Sequence, residues 1–164
     1  MQNAKDTFYT TLQARLAAVN PERTMVVRGV TRPAVLVEEN ELASDVVPLD
    51  AFRLRWAGLK VETNSPLPLV TMSCEIRYAT DGNAGNGGMD RGRLLAAMDA
   101  ELAAAIATVP RSTTKMSYTT VPPTAMETNV FWGDAAFGAA VVTGERLERV
   151  ATVAVFCYQE AGEL

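Results

Sequence analysis

Histidine is absent from the 164 residues of the chain. Because histidine is the usual general base near neutral pH and the commonest metal ligand, its absence argues against serine–histidine and cysteine–histidine hydrolases and against mixed cysteine–histidine zinc sites. Only two cysteines are present, Cys74 and Cys157, and they form no CxxC pair. Each lies in an apolar run that looks like a strand, so we expect two small buried side chains, and whether they are adjacent stays open.

Positive charge is also scarce, with 15 lysines and arginines against 19 acidic residues and a formal net charge of -4. Phosphate binding depends on an excess of cations, and no basic block is present, which argues against nucleic acid as the main partner. No apolar run approaches the length of a bilayer span. Residues 1–20 lack a basic start followed by a continuous apolar stretch, so we expect no secretory signal and take the cytosol as the default compartment.

The composition is that of a folded globular protein, with 48% apolar and 21% charged residues. This content supplies a core and argues against disordered and fibrous classes. The length suits one domain, which we place at residues 1–164.

Two main helices are predicted from apolar residues that recur every three or four positions. The first covers residues 4–19 and ends at Asn20-Pro21. The second starts with Asp90 as its N-cap and continues to Val109, before Pro110. The residues predicted to face the core are Phe8, Leu12, Leu16 and Val19 on the first helix and Leu94, Leu95, Met98, Leu102, Ala105 and Ile106 on the second.

Alternation of apolar and polar residues predicts several strands. The clearest strand covers residues 70–78, and a strand at 52–56 places Arg53 and Arg55 on a cationic face. Short strands are expected at 25–28, 34–38, 129–132 and 139–143. A long final strand at 147–160 has few polar residues on either face, which suits a central strand or one that meets another subunit.

Three segments are predicted to lack regular structure: 39–49, the Gly/Asn-rich 81–88, and 111–128, which is rich in Ser, Thr and Pro. The elements together predict an α+β fold, with a mostly antiparallel sheet covered by two main helices and with long loops.

No catalytic, cofactor or metal site is expected. Residues 82–92 match neither the P-loop nor the dinucleotide-binding pattern, so we interpret their glycines as part of a flexible connector. Glu75, Asp90, Asp99 and Glu127 show no ligand spacing, which leaves a small carboxylate- or metal-dependent enzyme as a weaker alternative. Because the sequence shows no recognisable catalytic motif, we favour a binding or structural role.

Two runs joined by the Gly/Asn-rich loop carry a resemblance to a known family: CEIRYAT at 74–80 and MDRGRLLAAMDAEL at 89–102. With the order of the elements, they resemble the tail terminator, or tail completion, proteins of tailed bacteriophages. The resemblance implies a structural virion protein whose ring of six copies caps the head-proximal end of the tail tube, stops its polymerisation and offers a surface to the head connector.

The resemblance also implies the partners and the location. The partners are further copies of the chain, the tail tube protein and a head-side connector or stopper protein, with DNA only as cargo through the ring and no membrane. The protein is expected in the tail or neck of the virion after assembly in the host cytoplasm. A head–tail joining or neck protein, at another level of the same stack, is the alternative.

A ring needs two different contact surfaces on each copy. We expect them at the sheet edge and in the segments 81–88 and 111–128, ordered on assembly. Phe131 and Trp132 are core candidates that also suit a protein contact beside the second segment. The candidate interface residues are Asp81, Asn83, Asn86, Arg91, Arg93, Arg111, Lys115, Tyr118, Phe131 and Trp132.

Overall fold

The computed structural model describes residues 1–41, 46–64, 66–82, 87 and 89–163. Within these residues the protein is an α+β fold with three helices and nine strands. Seven strands form one sheet, and the other two form a separate hairpin. The predicted α+β class with a mostly antiparallel sheet is confirmed.

The two long helices occupy the predicted positions, and a short third helix lies between them. The helices are α1 (Gln2–Val19), α2 (Glu38–Glu41) and α3 (Asp90–Ala107). The prediction of a loop from residue 39 onward is therefore wrong at its start, and residues 42–45 lie outside the described part. Asp90 is the first residue of α3 and makes no side-chain cap, because Met89 occupies the N-cap position.

The nine strands are β1 (Thr24–Val27), β2 (Val30–Pro33), β3 (Val35–Val37), β4 (Phe52–Glu62), β5 (Leu69–Thr80), β6 (Ser112–Ser117), β7 (Thr124–Phe137), β8 (Val141–Thr143) and β9 (Arg146–Tyr158). The main sheet has the order β3-β4-β5-β9-β7-β6, and β8 pairs with β9 beyond the end of β7. Its named strands pair antiparallel except β3 and β4, which are parallel. The final strand, β9, is therefore central, which was one of the two interpretations of its apolar faces.

The prediction of an irregular segment at 111–128 is wrong over most of its length. Strand β6 and the first half of β7 pair across it, with Ser112 opposite Phe131 and Ser117 opposite Thr124. Threonine is β-branched and fits the pleated surface of a strand, which explains why a threonine-rich segment pairs. Within this segment, only residue 111 and residues 118–123, between the two strands, lack regular structure.

Both long helices pack on the same face of the sheet. Phe8 of α1 makes edge contacts with Trp56 of β4 and Trp132 of β7, at ring-centroid distances of 6.0 and 5.7 Å. From α3, Met98 and Leu102 are fully buried. The predicted stripes are wrong only at their edges, because Val19 is 42% and Leu94 is 44% exposed.

Arg15 joins α1 to the end of α3. Its guanidinium donates hydrogen bonds to the carbonyl oxygens of Ala105, Thr108 and Pro110, at 3.3, 2.6 and 2.6 Å. It also lies 4.7 Å from the centre of the Trp132 ring. A side chain of one helix therefore satisfies carbonyl groups that the end of the other helix leaves unpaired.

The predicted cationic face of the strand at 52–56 is wrong for one of its two arginines. Arg55 is exposed, but Arg53 is 3% exposed and forms an ion pair with Glu38 at 3.2 Å. Because β3 lies beside β4 and leads directly into α2, the chain brings Glu38 to Arg53.

The two cysteines are buried and free, as predicted. They lie on neighbouring strands, but Cys74 is opposite Val153 while Cys157 is opposite Val70. The offset of four residues corresponds to about 13 Å along a strand, too far for a disulfide. Burial raises the pKa of both thiols, so both stay protonated near neutral pH.

We expect Leu102→Ala to lower the free energy of unfolding by about 2–5 kcal/mol, because it leaves a cavity in a fully buried part of the core. Leu94→Ala, on the same helix but 44% exposed, is the matched control and should change it by less than about 0.5 kcal/mol. Urea denaturation of both variants measures the difference. Equal effects would contradict the placement of α3 on the sheet.

Candidate assembly interface

The central strands β5 and β9 have one covered and one uncovered face. Along each strand, side chains that point toward α1 and α3 are buried, and those between them are partly or fully exposed. We call the second side the open face. Its central positions are Thr71, Ser73, Glu75 and Arg77 on β5, Val150, Thr152, Ala154 and Phe156 on β9, and Phe131 and Ala136 on β7.

Two aromatic side chains are neighbours at one end of the open face. Phe131 is directly opposite Phe156, which is in turn opposite Thr71. Phe131 is 40% exposed. Trp132, the next residue, is only 5% exposed and donates its indole N–H to the carbonyl of Ile106 at 3.2 Å. The two aromatic candidates therefore lie on opposite faces of β7, and only Phe131 is on the open face.

Charged side chains occupy the neighbouring rows of the open face. Arg55 is opposite Glu75, and Glu75 lies 3.9 Å from Arg77. Near Phe131, the candidate Arg111 forms an ion pair with Asp134 at 2.6 Å. Asp134 is 82% exposed in this pair, so the pair adds little to stability and leaves Arg111 accessible to a partner.

Lys115 has no exposed surface. Its ammonium group donates to Glu163 at 2.6 Å and to the Tyr158 carbonyl at 2.7 Å, and it lies 3.4 Å from Glu160. Glu163 also accepts a hydrogen bond from the Met1 amino group at 3.1 Å. Although Lys115 was a candidate interface residue, it is buried and binds the segment after β9, and Glu163 of that segment also contacts the Met1 amino group.

Burial by itself would raise the pKa values of Glu160 and Glu163, but hydrogen bonds outweigh it. The pKa of Glu160 is lowered to about 2 by hydrogen bonds from Thr128 and from the Glu127 backbone, and by the positive charge of Lys115. Bonds from Lys115 and the Met1 amino group lower the pKa of Glu163 below its usual value. Both carboxylates are therefore charged at neutral pH.

Asp81 and Arg91 meet at the start of α3. The Arg91 guanidinium donates to the Asp81 carbonyl at 2.8 Å and forms an ion pair with Glu145, in the β8–β9 turn, at 2.7 Å. Arg93 is exposed on α3. Asn83 and Asn86 lie outside the described residues, so the interface prediction for them stays a prediction.

Tyr118 follows β6 and contacts α1. Its hydroxyl donates to Thr10 at 3.3 Å. Thr10 lies on α1, which packs on the covered side of the sheet, so Tyr118 is not on the open face. The eight candidate residues in the described part of the chain thus fall into separate groups, and of these eight the strand register places only Phe131 on the open face.

Sequence reasoning missed Phe156 and the outer half of β4 as surface features. Strand β3 pairs with Phe52 to Leu54 alone, and residues 57–62 of β4 are all exposed. Leu59 and Val61 there are 50% and 38% exposed. Their alternation with Lys60 and Glu62 is the available signal, since charges are common on unpaired edge strands.

The described residues offer no cluster of three or more histidine, cysteine, aspartate or glutamate side chains able to hold a metal ion. One short chain of polar contacts joins β5, α3 and β9. The Tyr78 hydroxyl donates a hydrogen bond to the Asp99 carboxylate, and Asp99 also forms an ion pair with Arg149 at 3.2 Å. Burial, followed by the bond to Asp99, raises the pKa of Tyr78, so the phenol stays neutral. In the described part of the chain, no helix has the length and apolar character to cross a membrane.

Comparison with protein-family models and with curated proteins finds no match to this chain.

We expect Glu160→Gln to lower the free energy of unfolding at neutral pH by about 1–3 kcal/mol, because it removes a charged acceptor. In the native protein the pKa of Glu160 is about 2, against 4.5 for the free side chain, so its contribution is present above about pH 4.5 and is lost as the pH falls toward 2. The difference between wild type and variant should therefore shrink over that range in denaturation curves. A difference that is constant with pH would contradict this account.

Proposed function

We propose that this chain is a structural virion protein, a tail terminator whose ring caps the head-proximal end of a phage tail tube. The observation that carries the proposal is the open face, which crosses the central strands without a covering helix among the described residues. An antiparallel sheet that ends at solvent usually shows polar side chains there. Here β9 presents Val150, Ala154 and Phe156, which favours a second covering layer from another molecule.

Ring assembly needs two different surfaces on one copy, since a heterologous contact joins unlike patches. The chain offers two such patches. One is the aromatic end of the open face at Phe131 and Phe156, and the other is the exposed outer half of β4, with Leu59 and Val61. They differ in shape and chemistry, so a contact between them joins successive copies head to tail.

The resemblance to tail terminators rests on residues 74–102 and supplies the biological role. In this chain that block consists of most of β5, the Gly/Asn-rich segment and the first part of α3. Tyr78 and Asp99, both within the block, contact each other through the phenol and the carboxylate. The proposed role is to stop tube polymerisation and to present a surface to the head connector, with no bond made or broken.

The experiment is negative-stain electron microscopy and native mass spectrometry of the purified chain, alone and with tail tube protein. We expect a closed ring, either in solution or on tube ends, and shorter tubes when the chain is present. Binding to the head connector but not to tube ends would identify a neck protein instead. A chain that stays monomeric with both partners would overturn the proposal.

Phe131→Ser should weaken ring formation about tenfold or more, because it removes an aromatic contact from the open face. Phe137→Ser is the matched control. It lies on the same strand and is 37% exposed against 40%, but it is opposite Ala151, on the side that carries the helices. Mass photometry measures the dissociation constant of the ring for both variants. A larger effect of Phe137→Ser than of Phe131→Ser would contradict the assignment of the open face as an assembly surface.

A further inference from the structure

The outer half of β4, residues 57–62, has a free edge among the described strands. Strand β3 pairs with residues 52–54 alone, and every residue from 57 to 62 is exposed. An uncovered edge presents a row of N–H and C=O groups with which another strand can pair.

The hydrogen bonds of β5 decide which backbone groups of this edge are free. The Pro68 carbonyl, just before β5, accepts a hydrogen bond at 2.9 Å from the chain that follows β9. Successive residues of a strand bond to opposite sides, so the odd-numbered residues of β5 bond toward β4. One of them, Thr71, is opposite Lys60. Lys60 therefore bonds toward β5, whereas the N–H and C=O groups of its neighbours Leu59 and Val61 point to the free edge.

The side chains of this edge alternate between charged and apolar. Lys60, opposite Thr71, lies on the open face with Glu62, and the two form an ion pair at 2.8 Å while their side chains are 72% and 50% exposed. Leu59 and Val61 lie on the other face, opposite buried positions of β5, and are 50% and 38% exposed. A matching strand therefore has a charge of each sign on one face and apolar side chains on the other.

A second copy of the same strand meets this requirement in one antiparallel register. When the two strands are centred on Val61, that residue and the partner's Val61 form a hydrogen-bonded pair, as their backbone directions require. Lys60 is then opposite the partner's Glu62, and by symmetry Glu62 is opposite the partner's Lys60, so both charges are paired across the junction. Centring on Leu59 would place Lys60 opposite the partner's Gly58, and a parallel in-register pair would bring like charges together.

This complementarity also makes the edge selective. Charges on an edge strand usually deter pairing, because most added strands leave them without a partner. Here the two-fold register turns both charges into cross-strand pairs, whereas other registers and unrelated strands do not. The same two residues thus disfavour general aggregation and favour one specific contact.

We propose that the outer half of β4 is a two-fold interface, at which two copies of this chain join their sheets edge to edge. The contact is isologous, unlike the head-to-tail contact of a ring. Both contacts use Leu59 and Val61, so they exclude each other. The dimer is then the form of the chain before it meets a tube end, a consequence that rests on the proposed function, whereas the interface itself does not.

Sedimentation velocity of the full chain alone, from about 1 µM to about 1 mM, tests the interface, because a junction of a few residues per strand is small and weak. We expect a reversible equilibrium between monomer and dimer. Val61→Pro removes an N–H that points away from β5, so it should keep the fold, checked by circular dichroism, and weaken the dimer at least about tenfold. Val61→Thr keeps this N–H and is the matched control, with dimerisation close to wild type.

Charge reversal tests the register. Lys60→Glu and Glu62→Lys should each weaken the dimer about tenfold, because each puts like charges opposite one another in both cross-strand pairs. Mixed in equal amounts, the two variants should dimerise with each other as wild type does, since each supplies the charge that the other lacks. Arg93→Glu, at an exposed position of α3, is the control and should leave the dimer unchanged.

A chain that sediments as a monomer over the whole range overturns the proposal. So does a dimer that is indifferent to Val61→Pro, or a pair of charge variants that fail to rescue each other. Capping of tail tubes is scored separately. Capped tubes with no dimer of the free chain overturn this inference and leave the proposed function standing, whereas a dimer with the expected variant pattern that caps no tube supports the interface and contradicts only the proposed function.

Discussion

Packing of both long helices on one side of the sheet is the constraint on which the rest of this structure depends. Phe8 seats α1 against Trp56 and Trp132, and the α3 stripe around Met98 fills the same layer. With both apolar helix faces used there, the other side of β5 and β9 has no long helix left in the described chain to cover it. The open face is therefore a direct result of how the core is built, and it keeps its side chains available for a partner.

A cluster of buried charges joins β6 to the segment that follows β9. Lys115 is enclosed with Glu163 and Glu160, where each charge is compensated by an opposite charge or by backbone groups. Removing one partner of such a buried ion pair strongly destabilises the protein, because the other charge is left buried without compensation. The intact pair is nevertheless weak evidence for a net gain in folding stability. Its clear effect is positional, because it fixes β6 against the segment that follows β9. The rim of the sheet is thereby held in place without a large apolar contact.

Local periodicity was sufficient to predict α1, α3, β5 and β9, because each buries one face at a regular spacing. It was not sufficient for β6 and the start of β7, whose threonines and prolines look like those of a loop until the two strands pair. The burial of Lys115 and Arg53 depends on Glu163 and Glu38, which are distant in sequence and carry no local signal. For the candidate site, Phe131 was predictable as a large apolar residue beside polar ones. Its neighbour Phe156 follows from strand register, which one sequence does not reveal.

The bonds from Arg15 to Ala105, Thr108 and Pro110 make the last turn of α3 dependent on α1. Neither helix can fray at this junction without breaking a contact to the other, and the guanidinium over Trp132 links both to the sheet. These contacts couple the opening of one helix to that of the other, so we expect the helical layer to open as one cooperative unit. A molecule built this way presents its opposite surface from a rigid support, so that partner binding there carries little cost in backbone ordering.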